Sequence, residues 1–340
     1  MTILRHGFGV MMIRVGVGLS VIFGLAIYAG PSPIEELAYA SQPAPGTDAF
    51  YRLSTSVGPQ LVGPGLRALA AYSGQAVLVP NSSTLINEYD RLGYTLVGTA
   101  ERNNTVPRVF LTQLPRDLPD IRSVPLRKSV FIRSLLPLVL RANEEVLVER
   151  AQIHALRARQ LEGRALTTAE TAWLERLTTA YKLDASDFGA LLHRHDAVPV
   201  GLALAQGIEE SGWGTSRFAL HGNAVFGQWT FSKGAGIVPK ERDEGASHEV
   251  KTFPSLSGSV RQYVRNLNNH RAYREFRRER ATLRATDRPV DSRILAKTMT
   301  RYSQRGTEYV TSILRLITTN KLDQLDGARL GDNTRPALDS

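Results

Sequence analysis

Glu209 and Glu210 are the residues of this 340-residue chain best placed to move a proton. They close a mostly apolar stretch that begins at Val198, and Ser211, Gly212, Trp213 and Gly214 follow directly. A carboxyl set against an aromatic ring loses hydration. Its pKa rises, and it becomes able to donate a proton near neutral pH. The glycines permit a sharp turn just after the acids, and Trp213 offers a flat apolar face. Neighbouring helical residues point about 100° apart, so only one of the two acids can enter a given cleft. Read locally, the string fits a helix end with solvated acids and a packed Trp equally well.

Further aromatic and polar residues follow in order. They are Val225-Phe226-Gly227-Gln228-Trp229, then Phe253, the segment 260–270, Tyr302 and Tyr309. With the string at 203–219, this order resembles the glucosaminidases of glycoside hydrolase family 73, closest to their Bax-like branch. The likeness runs roughly over residues 107–320. Glu-Ser alone would be weak, since lytic transglycosylases share it; the combination in order is strong.

The resemblance implies a lysozyme-like fold, mainly α with a small β-lobe beside the cleft (an α+β arrangement). It implies an exported endo-β-N-acetylglucosaminidase that cuts GlcNAc–MurNAc bonds in peptidoglycan. A lytic transglycosylase and a non-enzymatic wall-binding protein are the alternatives. Glu210 matches the family's acid, with Trp213 packed beneath it, and Glu209 is expected to be solvated or paired with a base. Glu241 is the best match for a second acid. Glu244, or no second acid at all, remain open, because an N-acetyl sugar can supply its own amide oxygen. Tyr309 matches a tyrosine that lines the family's active site; a core role is the other reading. Phe226, Gln228 and Trp229 are expected along the groove, and Tyr302 is either structural or an outer wall. Where many relatives have Asn, this chain has Ala224. Asn223 either takes over that contact or the hydrogen bond is lost.

The composition narrows the field. A formal charge of +10 favours an anionic partner. No zinc spacing, RNA-binding sheet signature or helix-turn-helix points to nucleic acid. The wall polymer or an anionic membrane surface uses the charge equally well. There is no Cys, which excludes disulfides and thiolate catalysis. His193 and His195 lack a third ligand at metal spacing and read as solvated or core residues. No metal or cofactor is expected, and a monomer is.

The N-terminus reads as an export signal. Arg5 and Arg14 precede an uncharged apolar run at 15–29, and Ala38-Tyr39-Ala40 has the form of a signal peptidase site. Cleavage after Ala40 leaves Ser41 first. If it is not cleaved, residues 15–29 anchor the chain in the inner membrane. Both readings place the protein in the periplasm or facing it.

The rest divides by composition. Residues 41–49 form a linker and 50–125 an accessory region, with a short helix at 61–72 and strands at 94–97 and 108–112. Residues 126–195 read as helices packed on the catalytic core. They comprise 126–141, which Pro137 kinks or divides, then 143–161, a helix opened by the Thr167/Glu170 capping box, and one capped by Ser186. The catalytic domain occupies 196–322. Its β-lobe at 226–257 includes strands at 236–239 and 249–253, and helices follow at 257–269, 294–300 and 307–320. Seven Arg at 271–288 read as a solvated face or as attraction to the wall polymer. A loose tail is expected from Asp323.

Overall fold

A computed structural model of the protein describes residues 76–101, 105–230, 232, 234–239 and 248–331. The segments read as an export signal and a linker, the expected helix at 61–72, and Glu241 and Glu244 lie outside the described residues.

Strand β1 (Ala76–Val77) leads into helices α1 (Ser82–Arg91) and α2 (Leu96–Glu101), then strands β2 (Thr105–Val106) and β3 (Phe110–Leu111). Helices α3 (Val124–Leu161), α4 (Thr168–Ala180), α5 (Phe188–Arg194), α6 (Val200–Ser211) and α7 (Arg217–Gly222) follow. The lobe contains β4 (Trp229–Thr230), β5 (Gly236–Ile237) and β6 (Glu249–Lys251). The chain ends with α8 (Leu256–Asn269), α9 (Arg274–Ala285), α10 (Ser292–Ala296), α11 (Thr307–Thr319) and β7 (Arg329–Leu330). The architecture is mainly helical and lysozyme-like, with one small antiparallel sheet in the order β4-β6-β5. No helix among the described residues is long and apolar enough to cross a membrane.

Helix α6 is the axle of the fold. Every residue from Val200 to Ile208 is buried, so its apolar character continues all the way round. It packs against α3 and α11 and on the turn Leu322–Leu325. Its first residues follow Pro199, which has no side chain able to cap them. Other parts of the chain satisfy those N–H groups. Gly201 donates to Asp326 Oδ1 (2.9 Å) and Leu202 to Ser292 Oγ (2.8 Å). A loose tail is expected from Asp323, but the chain there forms the turn Leu322–Leu325 and then β7, which pairs with β2.

Three other expectations are corrected. Helix α3 runs unbroken through Pro137 over 38 residues. Proline deprives the Arg133 carbonyl of its helical donor, and the Tyr94 hydroxyl donates to that carbonyl instead (3.3 Å). Residues 94–97 form no strand, because Tyr94 is spent on α3 and α2 starts at Leu96. Strand β3 pairs in parallel with β1 instead. Helix α1 was not anticipated, although its cap was legible: Asn81 Oδ1 accepts from Thr84 N (2.9 Å). The capping box at Thr167 and Glu170 forms as expected, while α5 is capped by Asp187, not Ser186.

The Arg-rich stretch is only partly a solvated face. Arg277 and Arg280 are 3% and 1% exposed. Arg280 donates to the carbonyls of Asp196, Ala197, Arg194 and His193 and to Asn268 Oδ1. It thereby closes the C-terminal end of α5 and the link into α6. Nearby, His195 is a fully buried core residue held by Glu149 (3.0 Å) and Tyr181 (2.8 Å), while His193 is exposed.

Candidate active site

The end of α6 sorts its two acids. Glu209 is held by Arg305 (2.7 Å) and Ser312 (3.0 Å) on the α11 side. Glu210 turns to a separate, half-buried pocket, where its Oε1 accepts from the Tyr309 hydroxyl (3.0 Å). The helix then stops abruptly. Gly212, Trp213 and Gly214 all have positive φ, at 57°, 62° and 75°. Ser211 Oγ donates to the Gly207 carbonyl and accepts from Gly214 N (2.8 Å), which locks the turn. Gly214 has no room for a side chain: a Cβ there would lie 2.6 Å from Phe131 and 2.7 Å from Leu114. The turn is thus wedged against α3.

A hydrogen-bond relay fixes the direction of the Tyr309 proton. The Tyr263 hydroxyl donates to Gln206 Oε1 (2.8 Å), and Gln206 Nε2 donates to the Tyr309 oxygen (2.9 Å). The Tyr309 hydroxyl then has Glu210 as its acceptor. Gln206 stands one helical turn before Glu210 and is fully buried. Sequence reasoning missed it, yet a lone amide inside an apolar helix was the available signal.

Aromatic rings surround this relay. Tyr309 stacks on Tyr302 (centroids 5.4 Å apart, planes 10°), and Phe226 on Tyr263 (4.0 Å, 11°). Burial pushes the phenols of Tyr263, Tyr302 and Tyr309 well up, so they stay neutral. Burial likewise pushes the Glu210 carboxyl up to about 8. The Tyr309 hydrogen bond lowers it, the Glu209 charge raises it, and Arg305 lowers it. The carboxyl is therefore protonated at neutral pH. Oε1 is committed to accepting from Tyr309, so the proton resides on Oε2. That oxygen faces Gly227, where a Cβ would come within 2.9 Å of it and where φ is +60°. Any side chain here would crowd the acidic oxygen.

The lobe forms the opposite side. The Gln228 carbonyl accepts from Lys251 N (2.8 Å), which joins the Phe-Gly element to β6. Gln228 Oε1 is buried and lacks a hydrogen-bond partner. Trp229 stacks flat on His248 (4.1 Å, 7°). Glu249, which drew no attention in the sequence, is buried; its carboxylate accepts from Gly234 N and Gly236 N (2.9–3.1 Å) and ties β5 to β6.

Some expected groove residues lie behind the groove. Phe226 and Tyr302 are only 2% and 6% exposed. Phe226 is spent on the Tyr263 stack, and the Tyr302 hydroxyl donates to the Phe226 carbonyl (3.3 Å). Asn223 ends α7 with φ 53° and donates to the Phe253 carbonyl (3.0 Å), while its buried Oδ1 has no hydrogen-bond partner. Trp213 meets Phe131 of α3 in a T-shaped contact, with ring centroids 6.3 Å apart. Among the described residues no group of three or more His, Cys, Asp or Glu could hold a metal ion.

This site lies within a segment that matches known proteins. The family model described as mannosyl-glycoprotein endo-beta-N-acetylglucosaminidase, of the glucosaminidase family, matches residues 186–322. The chain is 32% identical over 216 residues to Protein bax of Escherichia coli (strain K12), covering 60% of this chain and 74% of that protein. No solved structure matches. The pocket acid on α6, its tyrosine relay and the lobe all fall in the matched region, and the chain belongs to the glucosaminidase family of glycoside hydrolases, as a Bax-like member.

Proposed function

We propose that the protein is an exported, monomeric β-N-acetylglucosaminidase that cleaves GlcNAc–MurNAc linkages within peptidoglycan strands, with Glu210 as general acid. One observation carries this reading: the Glu210 carboxyl has one oxygen held by Tyr309 and the other against Gly227, where no side chain crowds it, in surroundings whose burial pushes it up to about 8. The description of the matching family names a glycoprotein. The net charge of +10 favours the anionic wall polymer.

In this scheme the Glu210 Oε2 proton passes to the glycosidic oxygen as the C1–O bond breaks. The positive charge at C1 is met either by the substrate's acetamido oxygen or by a second carboxylate, for which Glu241 is the candidate. In the first case the Glu210 carboxylate then takes a proton from the attacking water and is restored. Trp213, Gln228 and Trp229 are the residues assigned to the groove in this scheme. Glu241→Gln separates the two cases: a loss near that of Glu210→Gln supports two carboxylates, a small loss supports substrate assistance.

Digestion of purified sacculi followed by mass spectrometry tests the whole reading. Reducing GlcNAc ends are expected. Anhydro-muramic ends would make the protein a lytic transglycosylase, and binding without soluble fragments would make it a wall-binding protein. In the cell, the mature protein is expected in the periplasm beginning at Ser41; a retained Met1 or Thr2 on membranes identifies an anchor.

Two pH predictions follow from the relay. Activity requires the protonated acid, so kcat/KM is expected to fall as pH rises through about 8. Tyr309→Phe removes a hydrogen bond that favours the ionised carboxyl. Its alkaline limb is expected to move to higher pH while turnover drops, and Gln206 loses its partner at a cost of about 1 kcal/mol in urea unfolding. An unmoved limb would show that Tyr309 is only a core residue.

A further inference from the structure

Helix α3 sets one cation, Lys128, on Trp213, three residues past Glu210, and no catalytic step uses it. Lys128 and Phe131 lie three residues apart on one face of α3 and therefore point the same way. Both meet Trp213: Phe131 at its edge, and Lys128 with Nζ 4.5 Å above the ring centroid. Trp213 is three residues past Glu210, on a turn that Gly214 wedges against α3 and Ser211 locks. The indole is thus rigidly placed, and one of its faces is occupied by an ammonium group. Among the described residues no carboxylate is in ion-pair range of Lys128, although most other basic side chains near the core are tied. Arg127 donates to the Ile121 carbonyl, and Arg305 pairs with Glu209.

An ammonium parked on an aromatic face is held weakly and leaves easily for an anion. A neutral sugar that stacks on this face must displace the cation and receives no ionic contact in return. A saccharide carrying a carboxylate draws the ammonium off the ring and pairs with it. We propose that Lys128 and Trp213 form a subsite for a carboxylate borne on a muramic residue's lactyl group, so that the site favours acidic over neutral glycan. This rests on the peptidoglycan reading above. The carboxylate has two sources, the free lactyl acid of a peptide-free strand or the acids of an attached stem peptide.

The test measures binding by calorimetry in a Glu210→Gln background, so that no turnover intervenes. Three tetrasaccharides are compared: peptide-free GlcNAc–MurNAc dimer, the same dimer with stem peptides, and neutral chitotetraose. At least one acidic ligand is expected to bind roughly tenfold tighter than chitotetraose, the worth of one charge-assisted contact. Which one does so identifies the source. Adding Lys128→Met is expected to bring that ligand down to the neutral one's affinity, and Lys128→Arg to keep the preference. Equal affinities for all three, or a preference that survives Lys128→Met, overturns the subsite while leaving the glycan reading intact. Binding of none of them overturns both.

Discussion

Glu210→Gln is expected to lower peptidoglycan turnover by roughly 10²–10⁴-fold, the usual worth of one general acid. The amide keeps the shape of the protonated carboxyl and still accepts from Tyr309, but it has no proton to transfer. The stability profile separates lost chemistry from a lost fold. The folded-state pKa of about 8 lies above the ordinary value of 4.5. Between those pH values the unfolded chain ionises and the folded chain does not, so the folded state loses ground as pH rises. The Gln variant escapes that loss. Thermal unfolding is expected to match the wild type near pH 4 and to lie above it at pH 8. Glu209→Gln is the contrast. It is expected to retain activity, because its carboxylate is committed to Arg305 and Ser312. Removing its charge lowers the Glu210 pKa, so the alkaline limb of activity moves to lower pH. If Glu209→Gln were inactive and Glu210→Gln active, the assignment of the acid would be wrong.

Arg280→Leu is expected to cost the fold about 3–5 kcal/mol, as removal of one partner from a buried charge network does. The guanidinium is 1% exposed, and no water can replace it. Its loss strands the carbonyls of Ala197 and Arg194, while that of Asp196 keeps only the Asn268 Nδ2 donor. Asp196, only 2% exposed, would then rely on Arg284 (3.0 Å) and the more distant Arg150 (3.9 Å). Chemical denaturation reads the loss directly. Arg278→Leu serves as the control two residues away. Its side chain is 75% exposed, and its change should stay within about 0.5 kcal/mol. Equal effects from the two substitutions would mean that the buried network contributes nothing special.

Those two arginines divide what was legible from what was not. The sequence by itself determined where most helices lie, because apolar spacing and caps are local. Thr167 and Glu170 build their capping box within one turn, and the run 307–320 becomes α11 within one residue. It also determined that only one of the two acids can enter the pocket, since about 100° of helical rotation separates Glu209 from Glu210 whatever surrounds them, and the family resemblance pointed to Glu210. The tertiary structure alone decided the rest. Seven arginines in one segment look alike in composition, and only the fold buries Arg277 against the end of α8 and Arg280 against the end of α5 and the link that follows it, while leaving Arg278 in solvent. Pro137 passes through α3 without a break because Tyr94, distant in sequence, supplies the missing donor. Tyr94 itself has the residue type of a strand, and its partner decides otherwise. Which Glu210 oxygen carries the proton depends on Tyr309, 99 residues away, and on Gln206 and Tyr263 behind it. A carboxyl's register is written in one turn of helix. Its pKa is a property of everything that excludes water from around it, and that exclusion exists only once the helices have met.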